Sequence, residues 1–197
     1  KGFESLLLIG LVFTLFSSGV NKTVAAGNEI RSETLRLHII ANSDSDADQQ
    51  LKLKVRDAVL TAGKEIFDGS VTADEAEEKI LPHINKLKQT ALQTIKNEGY
   101  NYDVQITVQK EYFSTRTYEN AVTLPAGYYT AVKVIIGEGA GQNWWCVMFP
   151  PMCLPAADAE CEISDVLTEG ETEIVTGAEK YQFKFKIVEF IESLLRK

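Results

Sequence analysis

The chain changes its hydrophobic period once, and that change restricts the fold more than any other feature. Between Leu51 and Ile95 apolar residues recur at three- to four-residue spacing, and from Val104 they alternate. The first pattern belongs to helices with a buried face, the second to strands with a buried face. Leu51, Val55, Ala58, Val59, Ala62 and Ile66 share one helix face, while Leu53, Leu60 and Phe67 lie roughly half a turn away. A helix that follows the polar cluster Asn42–Asp46 and runs to about Phe67 is therefore covered on two sides. Thr72-Ala73-Asp74-Glu75 forms a capping box for a second helix, which runs to about Glu98 and stops at Gly99. Ala73, Ala76, Ile80, Ile84, Leu87, Ala91 and Ile95 make its buried face, and Pro82 within it predicts a kink or a restart.

Strands flank this helical half. Leu35–Ala41 is an almost unbroken apolar run and reads as a mostly buried strand. After the helices, Val104, Ile106 and Val108 alternate with Gln105, Thr107 and Gln109 in a strand that continues toward Phe113. Leu124-Pro125-Ala126-Gly127 is a turn, Tyr128–Ile136 a further strand with Lys133 as its one charge, and Asn143–Phe149 the last. Short connections predict an antiparallel meander. Asp158 to Gly177 is acidic and poor in large side chains, and Phe183, Ile187, Phe190, Ile191, Leu194 and Leu195 suit a terminal helix. The expected class is α+β: two long helices packed on an antiparallel β-meander, with a C-terminal helix. Three segments follow: 1–26 as a leader, 33–155 as the folded domain, and 156–197 as an acidic linker with the last helix.

The leader reads as an export signal. Leu6 to Phe16 carries no charge, is short for a membrane span, and is followed by the small residues Val24-Ala25-Ala26. It is either cleaved or kept as an anchor. The formal charge of −8 and the absence of a Lys/Arg cluster argue against nucleic acid as a partner. Outside the cytoplasm the three cysteines tend to oxidise. Cys146 and Cys153 lie seven positions apart around Pro150-Pro151, a spacing a turn brings within bridging reach; Cys153 with Cys161 is the other choice.

Sites for chemistry are scarce. The cysteines form no Cys-x-x-Cys pair and His38 and His83 have no ligand spacing, so no zinc site and no other cofactor is expected. Gly137, Gly139 and Gly141 precede a strand without a following Lys-Ser or Lys-Thr, which fits a hairpin loop and not a phosphate loop. Asn42 to Asp48 lacks the glycine and distal glutamate of a calcium loop, and helix capping accounts for it. A nucleophilic Cys146 or Cys153 with His38 as base would make an exported hydrolase, the principal enzymatic rival, and a cell-wall or small-molecule binding module is the other. The densest feature is Gly141-Gln142-Asn143-Trp144-Trp145-Cys146-Val147-Met148-Phe149-Pro150-Pro151-Met152-Cys153. On a strand its two tryptophans point to opposite faces, one toward the core and the other toward solvent or a partner.

Several ordered motifs carry a resemblance. Leu35-Arg36-Leu37-His38-Ile39-Ile40-Ala41-Asn42-Ser43-Asp44-Ser45, then Asp48-Gln49, Leu51-Lys52 and Lys54 to Leu60, resemble the opening of the stage II sporulation protein R family. Leu124-Pro125-Ala126-Gly127 with Tyr129, Ile136-Gly137-Glu138-Gly139, and Asn143 to Val147 with Phe149, Pro150, Pro151 and Cys153 resemble its later motifs. The resemblance spans about Leu35 to Cys153; Cys161 and the tail fall outside it. It implies a protein made in the forespore and exported toward the mother cell, which is a signal and not an enzyme. There it would trigger a membrane-embedded aspartic protease, stage II sporulation protein GA, to process pro-sigma-E. The surface expected to meet that protease comprises Gly139, Gly141, Asn143, Trp144, Trp145, Phe149, Pro150 and Pro151, with Asn42 and Asp44 at a polar corner. Contact with the membrane itself is expected only through the leader or the partner.

Overall fold

Leu35–Ile40 forms β1, six residues of which five are fully buried. A strand buried on both faces belongs at the centre of a sheet, and β1 takes that place although one of its faces carries Arg36 and His38. The computed structural model describes residues 25, 27–67, 72–118, 122–150, 175, 176 and 186. The leader, the Pro151–Cys153 end of the aromatic motif, the acidic linker and the expected C-terminal helix lie outside these residues, isolated positions apart. Among the described residues no helix is long and apolar enough to cross a membrane. The chain divides into two compact units, one of Lys1–Arg31, Tyr112–Gly127 and Glu169–Lys197, the other of Ser32–Glu111 and Tyr128–Thr168.

In the larger unit, α1 (Asp46–Phe67) follows β1. Ser45 Oγ accepts from the Asp48 amide at 3.2 Å and so caps it, while Asp46 and Asp48 sit at its positive end. Leu51, Val55, Val59, Ala62 and Ile66 are buried along one stripe and Leu60 and Phe67 along a second, as the spacing predicts, while Ala58 and Leu53 are half-buried. Thr72 caps α2 (Ala73–Ile80) by accepting from the Glu75 amide at 3.2 Å. Pro82 then forces a 3-10 turn over Leu81–His83, and the chain restarts as α3 (Ile84–Asn97). The proline cannot donate the bond a continuous helix needs, so restart is the outcome.

The remaining strands are β2 (Val104–Phe113), β3 (Arg116–Thr117), β4 (Thr123–Leu124), β5 (Gly127–Ile136) and β6 (Asn143–Phe149). They corroborate the α+β class but correct the meander. The main sheet has the order β2-β5-β1-β6, with β1 parallel to β5 and antiparallel to β6. The physical reason lies in β1. Both of its faces are buried, Leu35, Leu37 and Ile39 on one and Arg36 and His38 on the other, so it inserts between two strands consecutive in the chain. The helices supply the long crossover that a parallel pair requires. Leu35, Leu37 and Ile39, Val132, Val134 and Ile136, and Cys146 and Met148 form one sheet face. Together with the buried stripes of α1, α2 and α3 they make a single core cluster. Each fully buried Leu, Ile, Val, Phe or Met among them contributes about 1.5–3 kcal/mol. Helix α1 closes on β6 at Gly63, where a Cβ would come within 2.5 Å of Met148 Cε.

In the smaller unit β3 and β4 pair antiparallel, and Thr117 and Thr123 share a hydroxyl hydrogen bond of 2.9 Å. Arg31 donates to the Ala126 carbonyl at 2.7 Å, and the Ala126 amide donates to Thr115 Oγ1 at 3.2 Å.

Candidate functional site

Because β1 lies between β5 and β6, the connection between those strands must pass over the end of β1. This brings two separate sequence candidates together. The glycine loop 137–142 is laced to the polar corner 41–45. The Glu138 amide donates to Asn42 Oδ1 (3.0 Å), the Ala140 amide to the Asn42 carbonyl (3.1 Å) and the Gln142 amide to Asp44 Oδ1 (2.7 Å). Gly137 adopts φ +56°, and a Cβ there would meet Asn42 Oδ1 at 2.2 Å. At Gly141 a Cβ would meet the Ser43 carbonyl oxygen at 2.2 Å. The glycines are thus required for close backbone approach. Gly139 lies between them, its amide donating to the Ile136 carbonyl at 3.1 Å.

Buried side chains brace the corner from below. Asp48 accepts from Asn42 Nδ2 at 2.9 Å and from Ser43 Oγ at 2.5 Å. Burial opposes its charge, yet Ser43, Asn42, Tyr102 and Ser45 outweigh that and hold its carboxyl below the usual range. Lys52, also buried, donates to the Gln142 carbonyl at 2.9 Å and to Gln49 Oε1 at 2.6 Å. Burial, only partly offset by Asp44, lowers its pKa.

The two tryptophans separate as strand geometry requires. Trp144 faces the helices, at the margin of the core, with the Arg56 guanidinium 4.5 Å from its ring centroid. Its indole N–H is buried and has no hydrogen-bond partner among the described residues. Trp145 lies on the opposite face, half-buried, and stacks on the His38 ring at 3.7 Å and 13°. His38 is buried and held at both nitrogens, Nδ1 2.8 Å from Glu111 Oε2 and Nε2 2.7 Å from Asn143 Oδ1. Glu111 Oε1 accepts from Lys133 Nζ at 2.9 Å. Burial works against the Glu111 charge, but Lys133 and His38 overcome it and lower the pKa. Four strands thus contribute to one braced patch: Glu111 from β2, Lys133 from β5, His38 from β1, and Asn143 and Trp145 from β6. Deeper on the same face Arg36 is fully buried, donating to the Cys146 carbonyl at 3.0 Å and lying 4.8 Å over Tyr129.

Of the residues expected at the surface, Asn143 and Asp44 are exposed, while Asn42, Gly139, Gly141, Trp144 and Trp145 are half-buried. Phe149 is buried edge-to-face on Phe67, with ring centroids 5.9 Å apart, and Pro150 is buried beyond a cis peptide bond. These two side chains serve the interior in this arrangement. Pro151 and Cys153 lie outside the described residues. Cys146 is fully buried on the helix face, whereas His38 points to the other, so a Cys146–His38 pair is not assembled. Sequence reading missed Glu111 and Lys133 as neighbours of His38. The available signal was a lone charge at position 133 in an otherwise apolar strand. No group of three or more His, Cys, Asp or Glu among the described residues is arranged to hold a metal ion.

Comparison with known proteins agrees with the motifs. The family model described as stage II sporulation protein R matches residues 31–159. A protein of Bacillus subtilis (strain 168) named stage II sporulation protein R is 38% identical over 189 residues, covering 84% of this chain and 83% of the relative. No solved structure matches the chain. The aromatic strand, the glycine loop and the polar corner all fall within the matched region, and the chain belongs to the stage II sporulation protein R family.

Proposed function

We propose that this chain is an exported intercellular signal of sporulation. It crosses the forespore membrane into the intermembrane space, either free or tethered by its leader. There it activates the membrane-embedded aspartic protease, stage II sporulation protein GA, which processes pro-sigma-E in the mother cell. The chain acts by docking and performs no reaction itself. A ligand activates only by binding the active arrangement more tightly than the resting one, so the docking surface must be rigid before it meets its partner. The observation that carries the reading is the braced patch of Trp145, His38 and Asn143, beside the locked corner of Asn42, Asp44 and the glycine loop. A half-buried tryptophan fixed by stacking loses little freedom on binding and suits an interaction hot spot. In the same reading Cys146 and Cys153 form a disulfide that anchors the end of β6; peptide mass mapping without reduction tests that pairing against Cys153–Cys161.

Reconstitution tests the function. The full chain, the protease and pro-sigma-E are produced together in a host without sporulation genes, and the shortened sigma factor is sought. The reading predicts processing only when all three are present and this chain is exported. Equal processing without the chain would refute it, as would a turnover activity of the purified chain. Binding of a cell-wall fragment with no effect on the protease would favour a binding module instead.

A further inference from the structure

Strand β2 ends the sheet order β2-β5-β1-β6, and no described strand lies beyond it. Val104 to Gln109 reads Val-Gln-Ile-Thr-Val-Gln, with neither charge nor proline nor glycine, and the charged pair Lys110-Glu111 follows it within β2. An edge of that composition is a template for pairing with another chain unless something covers it. Gln105, Thr107 and Gln109 are exposed on one face, and Ile106 and Val108 are half-buried on the other, where they extend the helix-side core. The segment is also nearly palindromic. Gln105-Ile106-Thr107-Val108-Gln109 places glutamines at both ends, β-branched aliphatics inside them and threonine at the centre.

In an antiparallel pair, residues directly opposite share a face. A two-fold axis through Thr107 therefore sets Thr107 against Thr107, Gln105 against Gln109 and Ile106 against Val108. Between Gln105 and Gln109 amides meet amides on the exposed face and aliphatics meet aliphatics along the core margin, while at either end Val104 stands opposite Lys110. A one-residue slip would place aliphatics opposite glutamine or threonine on the wrong face. Such self-complementarity is what an isologous two-fold interface demands. We infer that β2 is a homodimer edge, pairing antiparallel with β2 of a second copy in the register centred on Thr107. The side chain of Thr107, which donates to Gln109 Oε1 at 3.3 Å within one chain, is released to its counterpart across the axis. The interface does not depend on the function proposed above. It would give that signal a two-fold form able to bridge two copies of a partner.

Variants that add one cysteine to the full chain, each compared with the parent and its three native cysteines, test the register. Opposed Cβ atoms in such a pair stand about 4.5–5.5 Å apart, at the long limit of a disulfide and within reach of a short bismaleimide. Thr107→Cys should give a covalent dimer that the parent chain does not. Gln105→Cys and Gln109→Cys should not dimerise alone, yet should link to each other when mixed. Thr107→Lys sets like charges opposite and should weaken self-association in sedimentation equilibrium by about tenfold or more, with an unchanged circular dichroism spectrum. The inference is overturned if the parent chain is monomeric at every concentration and Thr107→Cys stays uncoupled. It is equally overturned if all three variants couple alike, or if Thr107→Cys couples only to a co-produced protease.

Discussion

Trp144 and Trp145 are neighbours in sequence with opposite surroundings, and the two faces of the sheet differ in the same way. On the Trp144 face, Leu35, Leu37, Ile39, Val132, Val134, Cys146 and Met148 meet the apolar stripes of three helices, with the Arg56 guanidinium at the margin over Trp144. On the Trp145 face, His38, Glu111, Lys133 and Asn143 are bound to one another at 2.7–2.9 Å. Non-directional burial holds the first face together, and directional contacts hold the second. The two faces are thus held by different forces, and the proposed function places docking on the second. The helix face sets stability, and the polar face presents a surface of fixed shape.

Substitutions on each face sharpen or break that division. The largest effect should come from Leu37→Ala, which empties the centre of the core and should cost about 2–5 kcal/mol in urea unfolding. Any loss of signalling should follow the loss of folded protein. Gly141→Ala comes next. Its new methyl meets the Ser43 carbonyl, a backbone atom that cannot swing away, and should cost about 1–3 kcal/mol while freeing the loop in hydrogen exchange. If Gly141→Ala is as stable as the parent, the corner is not locked as described.

Acid should act through the polar side. Glu111 and Asp48 both have pKa values lowered in the folded state. The unfolded chain therefore takes up protons first as the pH falls. The stability these groups lend is complete above the ordinary carboxylate range and is lost as the pH drops through their folded values. Glu111→Gln should lower stability near neutral pH by about 1 kcal/mol and flatten the acid limb of the pH–stability curve. An unchanged acid limb would count against the His38–Glu111–Lys133 bridge. The smallest change should be Trp144→Phe, within about 1 kcal/mol, because the indole N–H it removes has no partner among the described residues.

Local order was readable in the sequence, and long-range order was not. Apolar spacing placed the buried stripe of α1, Thr72 and Glu75 marked the start of α2, and Pro82 marked the break before α3. Each of these follows from residues within a few turns of one another. The position of β1 between β5 and β6 depends on pairings such as Ile39 with Val134 and with Trp144, about a hundred residues away. Proximity in sequence favours a meander, whereas β1, buried on both faces, takes the centre. The same long-range step made the site. Asn42 and the glycine loop were visible as separate polar segments, and only the crossing over β1 joins them. His38 was visible as an isolated histidine, while its partners Glu111 and Asn143 lie 73 and 105 positions away.

In the proposed function the Trp145 side chain serves docking and is dispensable for folding. Trp145→Ala in the reconstituted system measures this directly, with yield and urea midpoint recorded for the same exported chain. The account predicts a folded, exported protein that fails to elicit the shortened sigma factor. Normal processing by that variant would contradict it.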